Sequence, residues 1–117
     1  MKGIHFICAK EEESSSNRGL RRIDAENHIW ISGYWYLKPE NLKELVGGYI
    51  FLHRAQAKKS FFGGKVLEII PVEREELKRS DRVDIKFTAD KSAKGVPWSE
   101  VGKKGARVHT SDLVDIN

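Results

Sequence analysis

The chain has only one cysteine, Cys8, so an internal disulfide is impossible. It also has no apolar run near the roughly twenty residues that a bilayer span needs. Residues 1–8 lead into three glutamates at positions 11–13, without an apolar region of signal-peptide length or a small-residue cleavage site. We therefore expect a cytoplasmic protein that does not contact a membrane, in which Cys8 is a buried core thiol.

Signatures of metal sites and of common catalytic motifs are also missing. The four histidines show no His-x3-His spacing, and there is no second cysteine to join Cys8 as a zinc ligand. The basic segment 103–105 lacks the upstream glycine and the Ser or Thr that a P-loop requires. The sequence therefore predicts no catalytic residue, no bound metal and no cofactor.

The composition is that of a folded domain with a slight excess of positive charge. Hydrophobic residues make up 39% and charged residues 32% of the 117 positions, which predicts a single domain over residues 1–117 with one modest core. The net charge is +4 and the isoelectric point is about 9.2. Acidic residues concentrate at 11–13 and 73–76, whereas basic residues concentrate in other polar segments. This segregation permits a phosphate-facing surface.

The hydrophobic pattern predicts a chain rich in strands. Strands are expected at residues 4–8, 28–35 with a break at Gly33, 49–54, 65–71 and 82–89. The strand at 49–54 is apolar at both alternating sets of positions, which is typical of burial on both faces. In the strand at 82–89, Val83, Ile85 and Phe87 are expected to point inward, and Asp84, Lys86 and Thr88 outward.

One helix is expected at residues 38–47. Leu42, Leu45 and Val46 form its apolar face, and Gly47 suits a left-handed helix end. Residues 10–22 are expected to form a polar loop, and residues 73–79 a short charged helix or turn. The pair Gly63-Gly64 is expected to make a tight turn into the following strand.

The segment between the two central strands combines cations, a hydroxyl group and aromatic rings. Arg54 and Lys58 supply positive charge, Ser60 supplies the hydroxyl, and Phe61 and Phe62 supply ring faces beside two glycines. Such a combination suits a nucleic acid, because a base stacks on a ring while phosphates lie near the cations. The alternative is that one or both phenylalanines are buried anchors, and we expect one of them in the core.

The three tryptophans are many for a chain of this length. Together with polar groups that contact base edges, such rings build pockets for a flipped or modified base, and Ser32 and His53 are candidates for those polar groups. The alternative is that tryptophan is core material with a locally satisfied indole N–H. We expect two of Trp30, Trp35 and Trp98 in the core and the third in a pocket. His53 is either a pocket residue or a hydrogen-bonded core histidine.

Two central segments follow a strand pattern with leading glycines. Residues 46–53 read VGGYIFLH and residues 63–69 read GGKVLEI. This arrangement resembles the PUA-like superfamily, nearest its EVE and ASCH branches, over roughly residues 46–87 with some support from Trp98. The resemblance implies an α+β domain built on a small curved mixed β-sheet or open β-barrel with two or three short flanking helices. It also implies a pocket that reads RNA, DNA or a modified base.

Three functions stay open at this point. The preferred one is a nucleic-acid-binding module whose candidate contacts are Trp30, Ser32, Trp35, His53, Arg54, Lys58, Ser60, Phe61, Phe62 and Trp98. The second is a small hydrolase that acts on a modified nucleoside on the same scaffold, for which Lys58, Lys65, Glu68 and Thr110 are available. The third is a protein-interaction adaptor that presents the same basic face to an acidic partner.

Overall fold

The computed structural model describes residues 1–8, 20–35, 39–72, 82–98, 111 and 113–116. These residues form seven strands: β1 (Lys2–Ile7), β2 (Leu20–Asp24), β3 (Ile29–Trp35), β4 (Tyr49–His53), β5 (Phe62–Val72), β6 (Arg82–Ala89) and β7 (Val114–Asp115). Two 3₁₀ helices, Pro39–Leu45 and Lys91–Ala93, accompany them. None of the helices in this described part is long and apolar enough to cross a membrane.

All seven strands belong to one mixed sheet in the order β2-β3-β6-β5-β4-β1-β7. β1 and β4 are parallel, with His5 opposite Phe51, whereas the other neighbouring pairs are antiparallel. The expected small mixed sheet is thus confirmed. Among the described residues it is an open sheet, with β2 and β7 as its outer strands.

The five predicted strands are present with small shifts of their ends, but β2 was predicted as a loop. β2 lies where the sequence favoured a polar loop. Its central residues Arg21, Arg22 and Ile23 are all exposed, and it pairs with β3 alone, so it lacks the inward apolar positions that identify a strand. In β3 the register shifts between Ser32 and Trp35, as the break at Gly33 predicted.

β6 follows the predicted alternation on one face only. Val83, Ile85 and Phe87 are fully buried. Asp84, expected in solvent, is buried as well, so that prediction is wrong. Gly33 of β3 explains the difference, because a Cβ added there would lie 1.8 Å from the Asp84 carboxylate. The missing side chain leaves room for Asp84, and Arg21 forms an ion pair with it at 3.5 Å.

The glycine pair at 63–64 lies inside β5 and not in a turn, which corrects the sequence prediction. A Cβ at Gly63 would lie 2.1 Å from the carbonyl oxygen of Ile50, and one at Gly64 would lie 1.9 Å from that of Thr88. The glycines therefore allow the backbones of β4 and β6 to approach β5 closely.

The predicted helix at residues 38–47 is a 3₁₀ helix. With three residues per turn, Leu42 and Leu45 share one side and are buried, whereas Val46 leaves that side and is 50% exposed. Gly47 has a φ of 85°, as expected for a left-handed end. The flanking helices of the described chain are therefore 3₁₀ helices, with no α-helix among them. The charged segment 73–79 lies outside the described residues.

The sheet is buried on both faces where β1 and β4 pair. The larger core covers one face and contains Ile4, Phe6, Cys8, Leu42, Leu45, Ile50, Leu52, Val66, Val83, Ile85 and Phe87. Alternate residues of β1 and β4 point to the opposite face, where His5, Phe51 and His53 are buried with Trp98. Cys8 is buried as predicted, and burial raises the pKa of its thiol.

Candidate functional site

A cleft of about 400 Å³ opens where β5 begins and β6 ends. It is lined by His28, Phe61, Phe62, Ala89, Asp90, Lys91 and Lys94, and we name it the Phe cleft. The pairing of β5 with β6 brings these residues together, since Gly64 lies opposite Ala89. The turn between β2 and β3 closes the side at His28, whose carbonyl oxygen accepts a hydrogen bond from the amide of Ala89 at 2.8 Å.

Phe61 and Phe62 are half-buried, so each serves both the core and the cleft wall. The ring of Phe62 meets Trp30 edge-on, with 5.0 Å between ring centroids, and also contacts Phe87. The Arg54 guanidinium lies over the Phe61 ring at 3.9 Å from its centroid. A cation on an aromatic ring is thus already present at the edge of the cleft.

The charged groups of the cleft have different roles. The Asp90 carboxylate accepts hydrogen bonds from the backbone N–H and hydroxyl of Ser92, each at 2.9 Å, and from the Tyr49 hydroxyl at 3.0 Å. These bonds lower the pKa of Asp90, chiefly through Ser92, so the carboxylate stays ionised and caps the second 3₁₀ helix. Lys91 and Lys94 are exposed at the rim. The rim therefore offers two exposed cations beside one hydrogen-bonded carboxylate.

Ser60, a predicted ligand contact, holds the structure together instead. Its hydroxyl donates to the carbonyl of Ala93 at 2.6 Å and accepts from the Val96 amide at 2.9 Å. Its backbone also bonds to Val96 and Gly95. Because the side chain is buried and both roles of its hydroxyl are occupied, Ser60 fixes the segment that carries Lys91 and Lys94.

His53 is a core histidine, which was one of its two sequence-based alternatives. One ring nitrogen, Nδ1, lies 2.8 Å from the carbonyl oxygen of Lys58, and the other, Nε2, lies 2.7 Å from Nδ1 of His5. A carbonyl oxygen only accepts, so His53 donates from Nδ1 and accepts at Nε2 from His5. Trp98, 5% exposed, covers both rings at centroid distances of 5.4 and 5.2 Å. Trp98 and His53 therefore lie in the fold and not on a ligand surface.

Sequence reasoning missed His5, whose strand was identified but whose partner was not. The parallel pairing of β1 with β4 places His5 and His53 on the same face of adjacent strands. Burial and the neighbouring His53 lower the pKa of His5 from 6.5 to about 4, and burial also lowers the pKa of His53. Both rings are consequently neutral near pH 7. The signal that could have indicated the pair is that each histidine lies in an apolar strand, so that pairing of the two strands could bury both rings on one face.

The other two tryptophans contact separate groups. Trp35 stacks on Phe6, with ring centroids 4.1 Å apart, and its indole N–H donates to the Ser32 hydroxyl at 2.9 Å. Ser32 is fully buried, so it satisfies this indole and does not contact a base. Trp30 does not line the Phe cleft but packs against Phe62, which does. The predicted aromatic residues thus do not converge on one pocket.

The remaining predicted cations lie on the segment before β5. Arg54 donates from Nη1 to the carbonyl of Cys8 at 3.0 Å, which fixes the guanidinium over Phe61. Lys58 is exposed. Of the residues considered for a hydrolase, Lys65 and Glu68 are also exposed, and Thr110 lies outside the described residues.

The geometry of the Phe cleft is suited to a planar ring with an attached anion. Two half-buried phenylalanine side chains line it, with Arg54 over the ring of Phe61, while Lys91 and Lys94 supply cations at the rim. Within the described ranges, no three His, Cys, Asp or Glu side chains are grouped so as to hold a metal ion. Comparisons of the chain with protein-family models, with curated proteins and with solved structures found no match.

Proposed function

We propose that this protein binds nucleic acid, with one base stacked in the Phe cleft and neighbouring phosphates near Lys91 and Lys94. The observation that carries the proposal is the meeting of two half-buried phenylalanine rings and two exposed lysines in a single cleft. Its volume of about 400 Å³ falls within the range usual for small-ligand sites. An aromatic floor with cations at the rim is the arrangement that binds single bases with little dependence on sequence.

The contacts divide between stacking and charge. Stacking on Phe61 or Phe62 contributes roughly 1–3 kcal/mol per base. Lys91 and Lys94 contribute a salt-dependent attraction, because each bound phosphate releases counterions from the nucleic acid. His28 and Asp90 also line the cleft, and the Asp90 carboxylate is already bonded to Ser92 and Tyr49. The arrangement therefore favours stacking and charge over recognition of a particular base edge.

The proposal includes a PUA-like module that takes a modified or flipped base. A small mixed sheet with short flanking helices supports that resemblance, and the glycines at 63–64 directly follow the two phenylalanines of the cleft. The pocket residues, however, differ from those first expected. The proposed contacts are Phe61, Phe62, Lys91 and Lys94, with Arg54 held on Phe61.

Binding is tested by fluorescence anisotropy with labelled RNA and DNA oligonucleotides at 50 and 200 mM salt. We expect affinity to fall at the higher salt concentration. The variant Lys94→Glu should weaken binding several-fold and flatten the salt dependence by about one phosphate contact. Lys43→Glu is the matched control, because Lys43 is equally exposed but lies on the first 3₁₀ helix, away from the cleft lining. It should bind like the parent protein.

Phe61→Ala tests the stacking contribution. The loss of one stacked base corresponds to an affinity reduction of about 5-fold to 150-fold. Unfolding curves for the variant separate this effect from a loss of structure, since Phe61 also packs against the core. If no oligonucleotide, plain or modified, binds at either salt concentration, the proposal is wrong. Equal effects of Lys94→Glu and Lys43→Glu would point to charge in general and not to this cleft.

The hydrolase alternative has less support from the geometry. The carboxylate in the Phe cleft, Asp90, has a lowered pKa and both oxygens accept hydrogen bonds, so it is poorly suited to donate or take up a proton near pH 7. The adaptor alternative predicts indifference to oligonucleotides together with binding of an acidic protein. The same anisotropy measurements therefore distinguish it from the proposed function.

A further inference from the structure

A second cleft, of about 390 Å³, adjoins the segment that borders the Phe cleft. It is lined by Met1, Tyr49, Phe51, Ser92, Val96 and Ile116, and we name it the Tyr cleft. The rings of Tyr49 and Phe51 are nearly parallel, at 12°, with centroids 6.2 Å apart. The cleft therefore offers the half-buried ring of Tyr49, backed by Phe51, which is 4% exposed and comes from the alternate position of β4.

The two clefts share one short wall. Residues 90, 91 and 94 line the Phe cleft, while residues 92 and 96 of the same segment line the Tyr cleft. The wall is thin, because the Tyr49 hydroxyl on one side donates to the Asp90 carboxylate on the other at 3.0 Å. It is also rigid, since Ala93 is fully buried and Ser60 bonds to both Ala93 and Val96.

The charge on this wall favours a phosphate crossing it. Lys91 and Lys94 are exposed, and they belong to the same five-residue stretch as Ser92, which faces the Tyr cleft. The one acidic side chain of the stretch, Asp90, is occupied by Ser92 and Tyr49. A nucleic-acid strand with one base in each cleft would place the phosphate that links them near Lys91 and Lys94.

We infer that the protein binds single-stranded nucleic acid across both clefts, with one base in the Phe cleft, another in the Tyr cleft and the linking phosphate at Lys91 and Lys94. This inference rests on the proposed function and adds to it the strandedness and the minimum length of the ligand. The bases in both clefts must be unstacked from each other and unpaired, which a single strand permits at little cost and a duplex does not. Joining two weak sites through one strand raises the affinity because the second contact is intramolecular.

The test measures affinity against oligonucleotide length, from one nucleotide to eight, with a duplex of the same sequence for comparison. We expect a step in affinity of about 5-fold to 150-fold once the strand reaches the second cleft, which is the factor for stacking one further base. Val96→Glu places a carboxylate in the Tyr cleft and should remove the step, measured as the ratio of long-strand affinity to mononucleotide affinity. Val96→Thr, which has nearly the same shape, should keep the step.

Photo-crosslinking locates the bases directly. An oligonucleotide with one 5-bromouracil, moved along the strand position by position, should crosslink to Phe61 or Phe62 at one position and to Tyr49 at a nearby one. Crosslinks to the Phe cleft alone, an affinity that does not change with length, or a duplex that binds as tightly as the single strand would each overturn the inference while leaving the proposed function in place. Absence of binding by every oligonucleotide would overturn both.

Discussion

Acidification is expected to destabilise this protein through its buried histidine pair. The folded-state pKa of His5 is about 4, compared with 6.5 for an unhindered histidine. Because the unfolded chain takes up the proton first, the contribution of His5 to stability is fully present above about pH 6.5 and is lost as the pH falls toward 4. At about 1.4 kcal/mol for each tenfold change in acidity, this difference amounts to about 3 kcal/mol. That is a large share of the 5–15 kcal/mol typical of a domain.

The variant His5→Phe identifies the origin of this effect. It keeps a ring against Phe51 and Trp98 but removes the titrating nitrogens and the hydrogen bond to His53. Leaving the His53 acceptor unsatisfied should cost about 1–3 kcal/mol of unfolding free energy at pH 7. Between pH 7 and 4.5 the variant should then lose less stability than the parent protein. A residual slope is expected from His53, whose pKa is also lowered by burial.

Urea unfolding followed by tryptophan fluorescence at pH 7, 5.5 and 4.5 measures both quantities. The control is His28→Asn, because His28 is exposed and its φ of 55° suits asparagine. It should lose as much stability on acidification as the parent protein does. If His5→Phe loses just as much, His5 is not the source of the acid sensitivity.

Two further substitutions test how the cleft is supported. In Gly63→Ala, the added Cβ would lie 2.1 Å from the Ile50 carbonyl oxygen. Such overpacking should lower the free energy of unfolding by at least about 1–3 kcal/mol, and an unchanged urea midpoint would contradict this. Ser60→Ala removes the hydroxyl bonds to Ala93 and Val96, so the Val96 amide should exchange faster with deuterated solvent, whereas unaltered exchange would mean that the wall between the clefts is held in another way.

The elements that were predicted well are those whose evidence is local. The alternation in β6 and the apolar residues on both faces of β4 can each be recognised within a few residues of sequence. The positions predicted to be buried in these strands are mostly buried in the structure. β2 could not be predicted in this way, because an outer strand with exposed Arg21, Arg22 and Ile23 has no apolar periodicity. The 3₁₀ character of Pro39–Leu45 was hidden for a related reason, since Leu42 and Leu45 are three apart and fit either kind of helix.

The candidate site was only half visible in the sequence. Phe61, Phe62 and Arg54 are close in the chain, so a site that combines them could be predicted from their proximity in the sequence. Lys91 and Lys94 were not among the predicted contacts, because their approach to the phenylalanines depends on the β5–β6 register, which no short motif encodes. Nor does any local pattern encode the parallel β1–β4 pairing that joins the two buried histidines.

The polar side chains considered as base contacts share one physical explanation. Ser32 and Ser60 were predicted as base contacts, and His53 as either a pocket residue or a core histidine, because a polar side chain in an apolar segment is conspicuous. A buried polar group must be hydrogen-bonded, and in a sheet covered on both faces the partner is usually another part of the fold. Each of the three is indeed occupied, by Trp35, by the segment around Ala93 and by His5. The side chains left to meet a ligand are therefore those at strand ends, where Lys91 and Lys94 are exposed beside the half-buried rings of Phe61 and Phe62.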